Sequence, residues 1–233
     1  MTEILKTAVV TTVQFGAVFQ REDSLADEVK LTLKLNGRAV VTYVCSPCMR
    51  TELVYGYLYT EGLIKPWKQQ VLIQEADGVV NAVVHETGLL PAPEPVSSDY
   101  CVTTELVLNR MAEFASAGNV FSKTGATHSA AISTQESLQC LAEDVSRSAA
   151  FEKALGCGYL KRIDASRSFV VVSSRVHSVF IRKAATAGFP IIAAVSAPTA
   201  KAAADAERLG ICLCGFVRGE RMNVYSNRWR LGL

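Results

Sequence analysis

Residue type and spacing point to three kinds of chemistry in this chain, and the first is that of thiols. Cys45-Ser46-Pro47-Cys48 places two cysteines just ahead of a helical run. A helix N-terminus favours the thiolate, which suits a redox or persulfide site; the alternative is two small buried residues at a strand exit. No second cysteine pair completes a zinc site. Cys101, in SSDYCVTTEL, follows a proline-rich stretch. A thiol on a mobile segment can swing between a sulfur donor and an acceptor; the alternative is an ordinary buried cysteine opening a helix. Cys140, Cys157, Cys212 and Cys214 read as packing.

The second kind is proton chemistry. His128 with Glu143 and Asp144 forms an acid–base cluster or, alternatively, a strand-end histidine held by a carboxylate. The His-x-Glu plus Pro-Cys-x-x-Cys pattern of zinc deaminases is absent, and no metal site is expected. The third kind is anion binding. Gly215 to Arg230 holds Arg218, Arg221, Arg228 and Arg230 against one acid, Glu220. Arginines on a turn after a buried strand suit a diphosphate, because the planar guanidinium presents two aligned donors. Gly219 lets backbone N–H groups approach it. The alternative is a solvated basic tail. Ser122-Lys123-Thr124-Gly125 is a polar turn just ahead of His128. Ser173-Ser174-Arg175 and Ser196-Ala197-Pro198-Thr199 each follow an apolar strand, so they line one sheet edge, where ligands of open α/β sheets bind.

To hold these groups the chain needs strands and helices that end beside them. Val29 to Val44 alternates about Asn36-Gly37, the pair that best accepts positive φ at both turn positions, and predicts a hairpin. A helix is expected from Arg50 to Tyr59, ending at Gly62, with strands at 71–73 and 79–85. Helical spacing of Leu106, Arg110, Met111 and Phe114 predicts a helix over 103–117. Strands at 128–133, 139–144, 169–173, 190–195 and 211–217 then alternate with helices at 147–160, 178–187 and 199–209, and a short strand at 222–225 closes the chain. This order predicts a mostly parallel sheet with helices on both faces. Phe169–Val172 and Ile191–Val195 are continuous apolar runs, as in strands buried on both sides. The expected class is α/β (α+β overall), with a β-rich region of one helix over 1–100 and an α/β domain over 101–233. Leu90 to Asp99, LPAPEPVSSD, comes nearest to a linker.

The 233 residues, 49% hydrophobic and 20% charged, suffice for one large or two modest cores. A net charge of +2 gives no global case for nucleic acid. No apolar run approaches the roughly 20 residues that span a bilayer, and MTEILKTAVVTTVQF lacks the apolar core of a signal peptide. Seven cysteines are an odd count for a disulfide framework. A cytoplasmic protein with no membrane partner is expected.

TGATHSAAI…AEDVSRSAAFEKALG resembles the TGG-HAA…EDVGRHNAVDK-IG core of the FdhD/NarQ family. LNGRAVVTYVCSP…ELVYGYLYTEGLI, SSRVHSVFIRKAATAGFPIIAAVSAPT and GFVRGERMNVYS resemble three further blocks of it, in the same order. The resemblance implies a cytidine-deaminase-like three-layer α/β/α core without the zinc. It implies a formate dehydrogenase accessory protein that takes sulfur from a cysteine desulfurase. The sulfur goes to the molybdenum bis(molybdopterin guanine dinucleotide) cofactor, which the family also binds. Implied partners are the desulfurase, the formate dehydrogenase catalytic subunit and a second copy of the chain in a homodimer. Phe216, Val217, Arg218, Gly219, Glu220 and Arg221 match the family's nucleotide segment, and Lys123, Thr124, Gly125 and His128 are expected to bind the same cofactor. Where the family carries a Cys-Gly-x-Cys-Gly loop, this chain has Ser97-Ser98-Asp99-Tyr100-Cys101-Val102-Thr103-Thr104. Cys101 is thus the one thiol in place for a persulfide; the alternative is a cofactor-binding chaperone without thiol chemistry.

Overall fold

The computed structural model describes residues 4–85 and 92–233. Residues 1–3 and 86–91 lie outside it, among them Leu90 and Pro91 of the proline-rich stretch. The chain opens with a hairpin that the sequence pattern did not predict, β1 (Leu5–Gln14) and β2 (Ala17–Ala26). Its turn has positive φ at both central residues, Phe15 at 49° and Gly16 at 84°. That is the turn type that matches strand twist, but phenylalanine stands where asparagine usually signals it. The predicted hairpin follows as β3 (Val29–Leu35) and β4 (Arg38–Cys45), with Asn36 at φ 49° and Gly37 at 84°. After α1 (Arg50–Thr60), β5 (Val71–Ala76) and β6 (Val79–Val84) complete a four-stranded sheet in the order β4-β3-β6-β5. The Asn36 side chain fixes its register, donating to Val84 O at 3.0 Å and accepting from Val84 N at 2.9 Å.

The second half comprises α2 (Thr104–Ala117), α3 (Asn119–Thr124), β7 (His128–Ser133), β8 (Leu138–Asp144), α4 (Arg147–Leu160), β9 (Phe169–Val172), α5 (Ser178–Ala187), β10 (Ile191–Ala194), α6 (Ala200–Arg208), β11 (Cys212–Arg218) and β12 (Arg221–Ser226). Its sheet runs β12-β11-β10-β9-β7-β8. Only β9, β10 and β11 are parallel; β7, β8 and β12 pair antiparallel. This corrects the mostly parallel sheet expected from element order. The β7–β8 and β11–β12 links are short turns, and a parallel crossover needs about a dozen residues.

Alternation sends successive side chains to opposite faces. Ala130, Ile132, Val170, Val172, Ile192 and Ala194 pack toward α4, α5 and α6. Ala131, Phe169, Val171, Ile191 and Ala193 pack against α2. The core is therefore the expected three-layer α/β/α arrangement. One apolar cluster continues from it through α4 and α1 into the four-stranded sheet.

Helix α4 is wrapped almost all round, so it has no solvent face to spend on charge. Even Glu152 and Lys153 are buried. Glu152 accepts from Tyr43 Oη at 2.6 Å and pairs with Lys183, which also meets Glu61 at 2.8 Å. Lys153 pairs with Asp144. Where α4 crosses α1, Gly156 faces Gly56 with backbone in direct contact.

Candidate functional site

Because β9, β10 and β11 are parallel, their C-terminal ends share one edge. β7 starts and β8 finishes there: His128 sits opposite Asp144, and Ser129 O accepts from Ser173 N at 3.0 Å. His128, Ser173–Arg175, Ser196–Thr199 and Arg218–Arg221 thus come together as the strand pattern predicts. Helices α4, α5 and α6 all begin at this edge. Ser146 and Thr199 cap the first and last of them, whereas His177 precedes α5 without a side-chain cap bond.

A cavity of about 470 Å³ opens on the α2 side of the edge, lined by Phe114, Phe121, Gly125, His128, Ser173 and Val195 among others. Arg218 donates from Nε to Val195 O at 3.0 Å, which holds its guanidinium near the mouth. Arg221 stands opposite it across the turn. Gly219, at φ 56°, has nothing within 4 Å of where a Cβ would stand, so its backbone is open to a ligand. Phe216 takes a positive φ of 52° at a bulge, and its N–H donates to Ser196 O at 3.2 Å. Val217 is buried in the α2 core; only its backbone faces the edge. Glu220 is exposed on the turn.

The polar turn expected at Ser122–Gly125 is instead the end of α3, closed by Gly125 at φ 64°. Glu143 caps the start of this helix, its carboxylate accepting from the N–H groups of Asn119, Val120 and Phe121, each at 2.9 Å. Thr124 turns its hydroxyl inward to Val120 O, at 2.9 Å. Lys123 is exposed.

Both carboxylates expected beside His128 are therefore engaged elsewhere. Glu143 caps α3. Asp144 is fully buried, paired with Lys153 and accepting from Ser46 N at 3.1 Å and Ser146 N at 2.7 Å. Burial, then Arg147 and Arg175, hold His128 below the ordinary imidazole range, with Asp144 opposing them. Burial and Arg147 do the same to His177. The sequence reading passed over Arg147 and His177; their one local signal is that both stand at helix starts.

Cys101 lies at the other edge of the sheet. Its Sγ faces Trp229 O at 3.8 Å, and Val102 N donates to Arg230 O at 2.9 Å. Arg230 reaches Gly210 O, just ahead of β11, at 2.9 Å. Strand β11 separates the two edges, so Cys101 is roughly 20 Å from the Arg218–Arg221 turn at about 3.3 Å per residue. The four arginines of the last stretch accordingly split: Arg218 and Arg221 at the cavity edge, Arg228 and Arg230 at the other. The thiol is exposed, on a segment held at both sides of it. Buried Arg230 binds Ser98 O at 2.9 Å and Tyr100 O at 3.1 Å, and Tyr100 and Val102 are themselves buried.

The Cys45–Cys48 pair is not activated. Burial pushes the Cys45 thiol up to about 11, against the pull of Lys153, and raises Cys48 in the same way. The structure supports the packing alternative. At pH 7.5, iodoacetamide is expected to label Cys101 well before either of them. Peptide mass spectrometry finding Cys48 labelled first would contradict this.

A model of the FdhD/NarQ family matches residues 26–90 and 78–232. The chain belongs to this family. Relatives named sulfur carrier protein FdhD align along nearly the whole length. The one from Anaeromyxobacter dehalogenans is 31% identical, covering 94% of this chain and 91% of its own. That from Bacillus subtilis is 30% identical, covering 93% of each. That from Methanothermobacter thermautotrophicus is 29% identical, covering 90% and 92%. A solved structure described as a formate dehydrogenase accessory protein from Desulfotalea psychrophila is similar in fold. Its TM-score is 0.87 over 98% of this chain and 100% of that one, at 24% identity. Phe216–Arg221 thus lies at the cavity edge and Cys101 at the opposite edge. No helix among the described residues is long and apolar enough to cross a membrane.

Proposed function

We propose that this FdhD/NarQ member is a sulfur carrier accessory to a formate dehydrogenase. Its client is the molybdenum bis(molybdopterin guanine dinucleotide) cofactor, gripped by the guanine nucleotide end. The observation that carries this reading is convergence. Gly125 at the end of α3 and His128 line one largely apolar cavity, and Val195 O on its wall holds Arg218 at the mouth. The residues fit such a group: Phe114 and Phe121 offer faces for a purine, and Arg218, Arg221 and the open Gly219 backbone suit a diphosphate. Cys101 is the thiol for sulfur. Its thiolate attacks the outer sulfur of a desulfurase persulfide, whose S–S bond breaks with the electron pair leaving on the desulfurase cysteine, while a new S–S bond forms on Cys101. Seven free cysteines support a reducing cytoplasm as its compartment. A homodimer fits the family resemblance.

A second reading is favoured by one observation, the strand length separating Cys101 from the cavity. On that reading the protein binds the cofactor and escorts the apo-enzyme without thiol chemistry. Two measurements test the pair. Incubation with a cysteine desulfurase and cysteine is expected to add one sulfur atom to the Cys101 peptide, and Cys101→Ser should fail to restore formate dehydrogenase activity in a strain lacking the accessory protein. Unmodified Cys101 with full activity of the serine variant selects the second reading. Guanosine diphosphate at a hundredfold excess over Kd is expected to raise Tm by roughly 5–10 °C. No shift removes both readings.

A further inference from the structure

On the α4 side of the cavity edge, four cationic or titratable side chains gather without a protein counter-ion. Arg147 opens α4 and His177 immediately precedes α5. The two helix starts are clamped by an aromatic column. The His177 ring is 4.5 Å from Phe180, and Phe180 stacks on Phe151 at 4.4 Å, one turn after Arg147. His128 opens β7 opposite Asp144, which ends two residues before the Ser146 cap of α4. Arg175 follows Ser173, whose Oγ accepts from Ser129 N at 2.9 Å next to His128. The Arg147 and Arg175 side chains make no ion pair or hydrogen bond among the described residues. The nearest carboxylate, Asp144, is consumed by buried Lys153 and two N–H groups.

We propose that Arg147, Arg175, His128 and His177 form an anion subsite of their own, built for a phosphate or diphosphate dianion and distinct from the Arg218–Arg221 turn. Arg147 and His177 are half-buried and Arg175 and His128 exposed, so their like charges stand together where a phosphate dianion can reach and neutralise them. Both guanidinium forks supply paired donors. The uncapped first turn of α5 adds backbone N–H groups beside them. β9 and β11 flank β10, so the subsite and the Arg218–Arg221 turn lie about 10 Å apart at about 4.8 Å per strand spacing. A nucleotide with more than one phosphoryl group can therefore touch both. The subsite itself requires no base.

The two imidazoles report on occupancy. In the free protein burial, then Arg147 and Arg175, hold His128 down against Asp144, and burial, then Arg147, hold His177 down. A bound dianion offsets the arginine part of this and leaves the burial part, so both titrations move upward on binding. Because the complex then holds more protons than the free protein, affinity rises as pH falls through the neutral range.

The test uses the full chain with inorganic pyrophosphate as probe. Wild-type protein is expected to bind it by calorimetry, more tightly at pH 6.5 than at 7.5, with upward shifts of the His128 and His177 titrations by NMR. Arg147→Gln and, separately, Arg175→Gln should each weaken binding roughly tenfold or more and suppress the histidine shifts. Arg228→Gln, at the opposite edge of the sheet, should leave both unchanged. Melting curves confirm folding of each variant; Arg175 is exposed, so its variant keeps the test usable if Arg147→Gln unfolds. Guanosine diphosphate separates this inference from the nucleotide reading. If it fails to bind while pyrophosphate binds and moves the histidines, the subsite stands and the nucleotide reading falls. Histidine titrations unmoved by pyrophosphate, or both glutamine variants binding within twofold of wild type, overturn the subsite.

Discussion

Replacing Lys153 by methionine is expected to cost about 3–5 kcal/mol of stability, the range for breaking a buried pair from one side. Lys153 and Asp144 have no solvent exposure. Lys153 also donates to Ser46 O at 2.9 Å, so the substitution orphans a carboxylate and unbinds the loop that carries Cys48. Asp144 would keep its two N–H donors but lose its only counter-charge. Burial already pushes that carboxyl up, with Lys153 and the N–H groups pulling it back. Asp144→Asn in the Lys153→Met background should recover part of the loss, because it removes the unpaired charge. Urea unfolding of the wild type and the two variants checks this. A single-variant loss below about 1 kcal/mol would show that the pair carries no such weight.

Gly156→Ala is expected to cost at least about 3 kcal/mol, at the severe end of overpacking. A Cβ there would stand 1.8 Å from Glu52 O and 2.5 Å from Gly56 N. Gly56→Ala meets Glu152 O at the same 1.8 Å from the other side. Both obstacles are backbone, so relief means moving whole helices apart. The gain in helix propensity, about 1 kcal/mol, is too small to offset this. Gly158→Ala is the control: its Cβ would meet Ile132 Cδ1 at 2.2 Å, a side-chain end that can rotate away. Thermal melts should rank Gly158→Ala well above the other two; equal Tm for all three would refute the close-crossing account.

What could be read from the sequence was what local rules govern. Asn36-Gly37 announced its hairpin, the apolar runs of β9 and β10 announced two-sided burial, and the strand–helix order announced a shared edge for His128, Arg175 and Arg218. What could not be read depends on partners far along the chain. Glu143 caps α3 from more than 20 residues away, so a six-residue helix looked like a turn. Arg230 pins the Cys101 segment across about 130 residues, so a held thiol looked mobile. The reversal at Gly219–Glu220 sends β12 back along the sheet, which parts arginines that sit together in the sequence. Phe15 hid the first hairpin by occupying a position where a bulky side chain seldom takes positive φ.

That first hairpin has a mechanical consequence. Two ten-residue strands reach roughly 30 Å, with the Phe15 ring fully solvated at the tip. β2 rests on α3, the short helix whose Phe121 and Gly125 side walls the cavity. The hairpin therefore braces the wall of that cavity.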